Sequence, residues 1–184
     1  MRPRVLVASG AMLAGLVLGV ISGLGAEAQS RDERAVRAAY IFNLIKYVEW
    51  PVQDKELLIG FNGDAATGEV MERLLGGKTS EGQTIRLVWF PSDEELGKCR
   101  LLYFAGDETP EVRKTLDKVK GRGVLTVGEK EGFAPDGGMI GLVNSGDHIR
   151  IEVNLEAAQS AGIKISSRVL NLALIVRPVQ KGGR

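Results

Sequence analysis

The sequence predicts a three-layer α/β sandwich whose sheet is mostly parallel and closes with an antiparallel C-terminal edge hairpin. Three observations predict it. Short apolar runs alternate with amphipathic helical stretches through the middle of the chain. Those runs are apolar on both faces, as strands covered from both sides are. Near the C terminus the pattern changes to strict apolar–polar alternation across a turn, which marks antiparallel strands with one wet face.

The first stretch stands apart. Arg2 and Arg4 precede an apolar, Gly-interrupted run from Val5 to Leu24, and Ala26-Glu27-Ala28 follows as a small-residue cleavage site. That order is a secretory signal peptide, with cleavage expected after Ala28. Residues 29–184 then form a single domain of 156 residues, long enough to bury a sizeable core. Losing Arg2, Arg4 and Glu27 from 24 basic and 23 acidic residues leaves 22 of each. That balance gives no electrostatic footprint for nucleic acid. Cys99 is the only cysteine, so no internal disulfide forms, and its place before an apolar run predicts a partly buried strand-edge residue.

Along the mature chain, Ser30 and Glu33 read as a capping box that opens a helix reaching about Val48. Its inward face is read as Val36, Ala39, Tyr40, Leu44, Tyr47 and Val48, widened by Ile41, Phe42 and Ile45, and Pro51 closes it. Leu57 to Phe61 is a strand, Asn62-Gly63-Asp64 a turn, and Ala66 to Leu75 a helix with Val70, Met71, Leu74 and Leu75 inward. Thr84 to Phe90 is a second strand, and a short helix starts at Ser92. Leu101 to Ala105 is a third strand. Thr109-Pro110 starts a helix that runs to about Lys120, with proline at its first position. Gly123 to Val127 is a fourth strand. Met139 to Val143 and Ile149 to Asn154 form the hairpin around Asn144 to His148, with Arg150, Glu152 and Asn154 on the wet side. Leu155 to Ala161 is a short helix, Arg168 to about Val176 a last one, and Lys181 to Arg184 a frayed tail.

A search for catalytic chemistry returns little. His148, the only histidine, lies in a polar turn where solvation accounts for it. One His and one Cys do not make a zinc site without several carboxylates. No G-x-S-x-G elbow and no G-x-x-x-x-G-K loop occurs. The pairs Glu129/Glu131 and Asp107/Glu108 read as solvated loop charges. No catalytic residue, metal or cofactor is assigned, and a hydrolase with an unrecognised site is the weakest reading.

A binding surface remains. Partners of open α/β sheets meet the carboxyl ends of the strands, here Asn62-Gly63-Asp64, Phe90-Pro91, Gly106-Asp107 and Gly128-Glu129. Trp50 and Phe133 are candidate aromatic anchors, weighed against places in the core. The stretch Glu129 to Asn154, with Phe133, Met139 and an open edge strand, is expected to form the main partner or dimer surface. Glu129, Arg150 and Arg168 complete the set of partner-binding candidates. A closed pocket lined by Trp50, Phe133 and strand-end polar groups would instead indicate a small-molecule binding protein.

Two stretches carry a resemblance. Tyr40 to Pro51 (YIFNLIKYVEWP) is one. The other comprises Val124 to Glu129, Phe133, Gly137 to Ile140, Ile149 to Asn154, Ala157/Ala158, Ala161-Gly162 and Ile165 to Leu170. Together they resemble the YfiR-like family over about residues 33 to 175. The resemblance implies a periplasmic protein that restrains an inner-membrane signalling protein, a diguanylate cyclase or a sensor kinase, by binding its periplasmic sensor region. It also implies an outer-membrane lipoprotein that sequesters the restrainer. With one cysteine, this chain does not carry a regulatory mechanism based on internal disulfides.

Overall fold

The computed structural model describes residues 14–50, 55–106 and 109–179, with residues 14–28 as backbone only. Residues 1–13, Pro51, Asp107/Glu108 and Lys181 to Arg184 therefore lie outside the described residues.

Helix α1, Ala14–Lys46, passes straight through Ser30. The capping box expected there does not form, because the helix-favouring Ala26-Glu27-Ala28-Gln29 continues the helix upstream. Its buried face is part of the expected one, extended to Arg37 and Ala38. Arg37, Ala38, Ile41, Leu44 and Ile45 face inward, whereas Val36 and Ala39 are exposed. The chain then makes β1 (Val48–Glu49) and β2 (Glu56–Asn62). Asp64 caps α2 (Ala65–Leu75), accepting from the Thr67 amide. The hairpin of β3 (Thr79–Ser80) and β4 (Gln83–Trp89) comes next, followed by α3 (Asp93–Leu96) with the reciprocal Ser92/Glu95 capping box.

Strand β5 (Leu101–Phe104) leads to α4 (Pro110–Val119), capped by Thr109, and then to β6 (Leu125–Gly128). The expected hairpin is β7 (Ile140–Ser145) and β8 (His148–Asn154). Ser145 pairs with His148, so the strands reach further than expected around a two-residue turn. Gly146 there has φ 68°, the left-handed backbone such turns use. The chain ends with α5 (Leu155–Ser160), β9 (Lys164–Ile165), α6 (Ser167–Leu170) and β10 (Ala173–Val176).

The main sheet has the order β10-β8-β7-β6-β5-β2-β4-β3, and β1 pairs with β9 in a separate two-stranded ribbon. The run from β4 to β7 is parallel; β3 and the β7–β8 pair are antiparallel. The hairpin is not the edge. β10 adds to β8 in parallel, and it replaces the expected helix to Val176. Ile175-Val176 is β-branched, Pro178 stops a helix, and the open hydrogen-bonding row of β8 offers a partner. The expected wet face of β8 is covered too: Glu152 and Asn154 are buried.

Three layers result. On one face of the sheet, Leu57, Ile59, Phe61, Leu101, Tyr103, Leu125 and Val127 pack with Ala38, Ile41, Leu44 and Ile45 of α1 and Met71 and Leu75 of α2. On the other, Leu102, Phe104 and Val124 pack with Leu96 of α3 and Val112 and Val119 of α4. Cys99 is fully enclosed in this second layer, and burial pushes its thiol up to about 11.

Candidate functional site

After β2 the chain builds outward to β4, then returns to place β5 on the other side of β2. The carboxyl ends of β2 and β5 therefore flank a point where strand order reverses, the usual ligand crevice of an open α/β sheet. This crevice is tight. A Cβ on Gly63 would lie 2.7 Å from the Ala105 methyl group.

Helix α1 covers the crevice with two arginines. Arg37 is 6 % exposed. Its Nη2 donates to Asn144 Oδ1 at 2.6 Å and its Nη1 to Glu33 Oε2 at 3.4 Å. Its Nε lies 3.3 Å from Glu129 Oε2. The Tyr103 hydroxyl donates to the other Glu129 oxygen. One turn earlier, Arg34 Nε donates to Thr67 Oγ1 at 3.1 Å, and that hydroxyl donates to Asp64 Oδ2 at 2.7 Å. Four sequence-distant segments thus meet: α1, the end of β5, the residue after β6, and β7.

Burial pushes the Glu129 carboxyl above its ordinary range, and the charges of Asp64 and Glu33 add to this. The Tyr103 hydrogen bond and Arg37 oppose it. Burial, then the adjoining Glu129, holds the Tyr103 phenol protonated well above its usual range. Burial pushes Asp64 up as well, but the Thr67 hydrogen bonds and Arg34 outweigh it and hold Asp64 low. The cluster therefore presents a buried guanidinium in ion-pair range of a carboxyl group that accepts from a protonated phenol. That arrangement clamps α1 onto the sheet.

The sequence candidates fall in different places. Glu129 is in the clamp and is not the solvated loop charge it was read as. Trp50 is half-buried at the opposite, amino end of the sheet, where its Nε1 donates to the Arg100 carbonyl at 3.0 Å. It borders a cleft of about 420 Å³ with Lys46, Glu49, Gln83 and Lys164. Arg168 lies nearby, its guanidinium 5.7 Å from the centre of the Tyr47 ring. Arg150 pairs with Glu152 at 2.9 Å.

Phe133 and Met139 are not surface anchors. Phe133 is 1 % exposed, with its ring between Gly128 and Gly138 and 5.7 Å from the Phe104 ring. Met139 is buried beside Thr126, whose hydroxyl accepts its amide at 3.0 Å. The reason is local: side-chain-less glycines on both sides let the loop fold its aromatic inward. The closed pocket joining Trp50 to Phe133 is therefore not formed.

Arg37, Tyr103 and Asn144 were missed by sequence reasoning. The signal for Arg37 was a charge in phase with Ala38, Ile41, Leu44 and Ile45 on one helical stripe. Among the described residues, no group of three or more His, Cys, Asp or Glu is placed to hold a metal ion, and no helix is long and apolar enough to cross a membrane.

The family model described as YfiR/HmsC-like matches residues 34–174, from the first clamp arginine to the middle of β10. The chain belongs to the YfiR/HmsC-like family. All of Arg37, Tyr103, Glu129 and Asn144 fall inside the family region. No curated protein matches this YfiR/HmsC-like chain. Among solved structures, a conserved domain protein from Vibrio cholerae O1 biovar El Tor aligns with TM-score 0.51 and 12 % identity, covering 77 % of this chain and 59 % of that one. The ABC domain from Streptococcus pneumoniae in complex with L-Trp aligns with TM-score 0.48 and 13 % identity, covering 66 % and 56 %. The chain thus spans less than two thirds of either, and the first likeness bears on the fold alone.

Proposed function

We propose that this chain is exported to the periplasm, cleaved after Ala28, and there restrains an inner-membrane signalling protein by binding its periplasmic sensor region. The favoured partner is a diguanylate cyclase, with a sensor kinase as the other form and an outer-membrane lipoprotein as the sequestering element. The family match over residues 34–174 carries this reading. Restraint works by population shift: the chain binds one state of the sensor region more tightly and so enriches it.

The exposed surface supports a protein partner. Leu172 is 78 % exposed, Leu174 51 % and Ile175 45 %, all on or beside the outer edge strand β10. An uncharged open edge offers backbone groups and apolar side chains together. Trp50 and Arg168, at the amino end of the sheet, and Arg150 on β8 remain partner-binding candidates. Deleting the gene should raise cellular cyclic di-GMP several-fold, and restoring it should reverse the rise. An unchanged level, with no sensor region retained on the immobilised protein, would overturn the reading.

A second reading is a small-molecule binding protein, favoured by the cleft beside Trp50, whose 420 Å³ falls within the usual range of ligand pockets. A ligand screen by thermal shift, with Trp50→Ala as control, tests it.

A further inference from the structure

The clamp has the form of a receptor and its ligand. The receptor side is the Glu129 carboxylate after β6 and the Asn144 carbonyl oxygen on β7, with the Tyr103 hydroxyl fixing Glu129 from β5. Its acceptors are spread around a planar group, an arrangement that suits a guanidinium fork better than the point charge of an ammonium. Asp64 adds negative charge around the same place, and Arg34 is engaged by Thr67. The ligand side is the chain's own Arg37.

The internal fit is incomplete. Arg37 Nε is buried and within ion-pair range of Glu129, yet it makes no hydrogen bond. A buried donor without a bond is a standing cost that a better-aligned guanidinium would not carry. The segment this ligand belongs to is also weakly held. No residue from Gln29 to Val36 is buried, and the apolar anchorage of α1 begins at Ala38. Releasing Arg37 therefore leaves these two helical turns held through the Arg34–Thr67 hydrogen bond, without opening the core.

We infer that the Glu129–Asn144 pocket is a guanidinium-binding site that the chain closes with its own Arg37, and that an arginine side chain of a partner displaces it and lifts residues 29–36. The inference does not rest on the cyclase reading, since it is measured on the purified protein alone. Emptying the pocket with Arg37→Ala should let millimolar ethylguanidinium raise the melting temperature saturably, by about 3 °C or more. Ethylammonium at equal concentration should not, nor should ethylguanidinium act on Arg37→Ala/Glu129→Gln. In the unmutated protein, a capped arginine tripeptide should speed amide exchange at residues 30–36, and the lysine tripeptide should not. The inference is overturned by equal rescue in the double variant, by no rescue of a folded Arg37→Ala, or by unchanged exchange in the unmutated protein. If Arg37→Ala does not fold, the exchange measurement decides alone.

Discussion

The ring of Phe133 fills the space that a side chain on Gly138 would need. A Cβ there would come within 2.2 Å of Phe133 Cε1, and one on Gly128 within 2.4 Å of Cδ2 on the ring. Phe133 is held between two glycines and against Phe104 in the layer under α3 and α4. This loop is therefore a packed lid on the second core.

Gly138→Ala should accordingly destabilise the protein by about 1–3 kcal/mol, the cost of overpacking a filled site. Phe133→Ala should cost about 3–5 kcal/mol. Denaturant melts measure both. A charged residue at 133 should unfold the domain, so it cannot serve as a clean probe of association. An exposed, freely turning Phe133 would give losses under about 0.5 kcal/mol for all three changes.

Glu129 sets a pH dependence whose sign follows from burial. Its folded pKa lies above the ordinary 4.5, so the folded state binds the proton more tightly than the unfolded state. Stability from this group is fully present below the unfolded value and is lost as pH rises through the folded one. Denaturant melts between pH 7 and 4.5 should therefore show a contribution that grows on acidification. Glu129→Gln should abolish that slope. Asp64 works the other way, in a lower window: its depressed pKa contributes stability above 3.8 that is lost as pH falls through its folded value. A Glu129→Gln variant with the unmutated slope would mean that another group titrates there.

Much of the fold could be read from local chemistry. Asp64, Ser92 and Thr109 cap helices where the sequence placed helix starts, and the apolar runs at 57–61 and 101–104 are strands. Long-range partners decided the rest. Ala173 to Val176 is a strand because β8 has a free row of backbone groups, information held 22 residues away in the chain, where Ala173 pairs with Ile151. The face read for α1 is broader than the buried one: Ile41, Leu44 and Ile45 lie inward as read, whereas Val36 and Ala39 face solvent and Tyr40 and Tyr47 are half-buried. The clamp needed four segments to be placed before Arg37 could be matched to Glu129 and Asn144.

The β3–β4 turn carries a removable strain. Glu81 has φ 50° and Gly82 φ 82°, and Ser80 pairs with Gln83 across them. Two consecutive left-handed residues make a type I′ turn, which favours Asn-Gly. Left-handed backbone costs an ordinary residue about 1–2 kcal/mol, and asparagine less. Glu81→Asn should therefore raise the melting temperature by about 2–4 °C. No rise, or a fall, would show that Glu81 is held there by contacts worth more than the strain.

The sheet's two edges differ in how open they are to pairing. β3 is two residues long and flanked by Lys78 and Glu81, a guarded edge. β10 has no charge, no proline and no buried residue along Ala173–Val176. The open edge expected at β8 lies one strand further out, because β10 covers β8. Ile175→Lys puts a charge on that open edge without touching the core. It should weaken self-association or partner binding at least tenfold by sedimentation or pull-down, while stability changes by less than about 0.5 kcal/mol. Undiminished association in a folded Ile175→Lys protein would remove β10 from the interface and leave the Trp50–Arg168 end of the sheet as the surface to test.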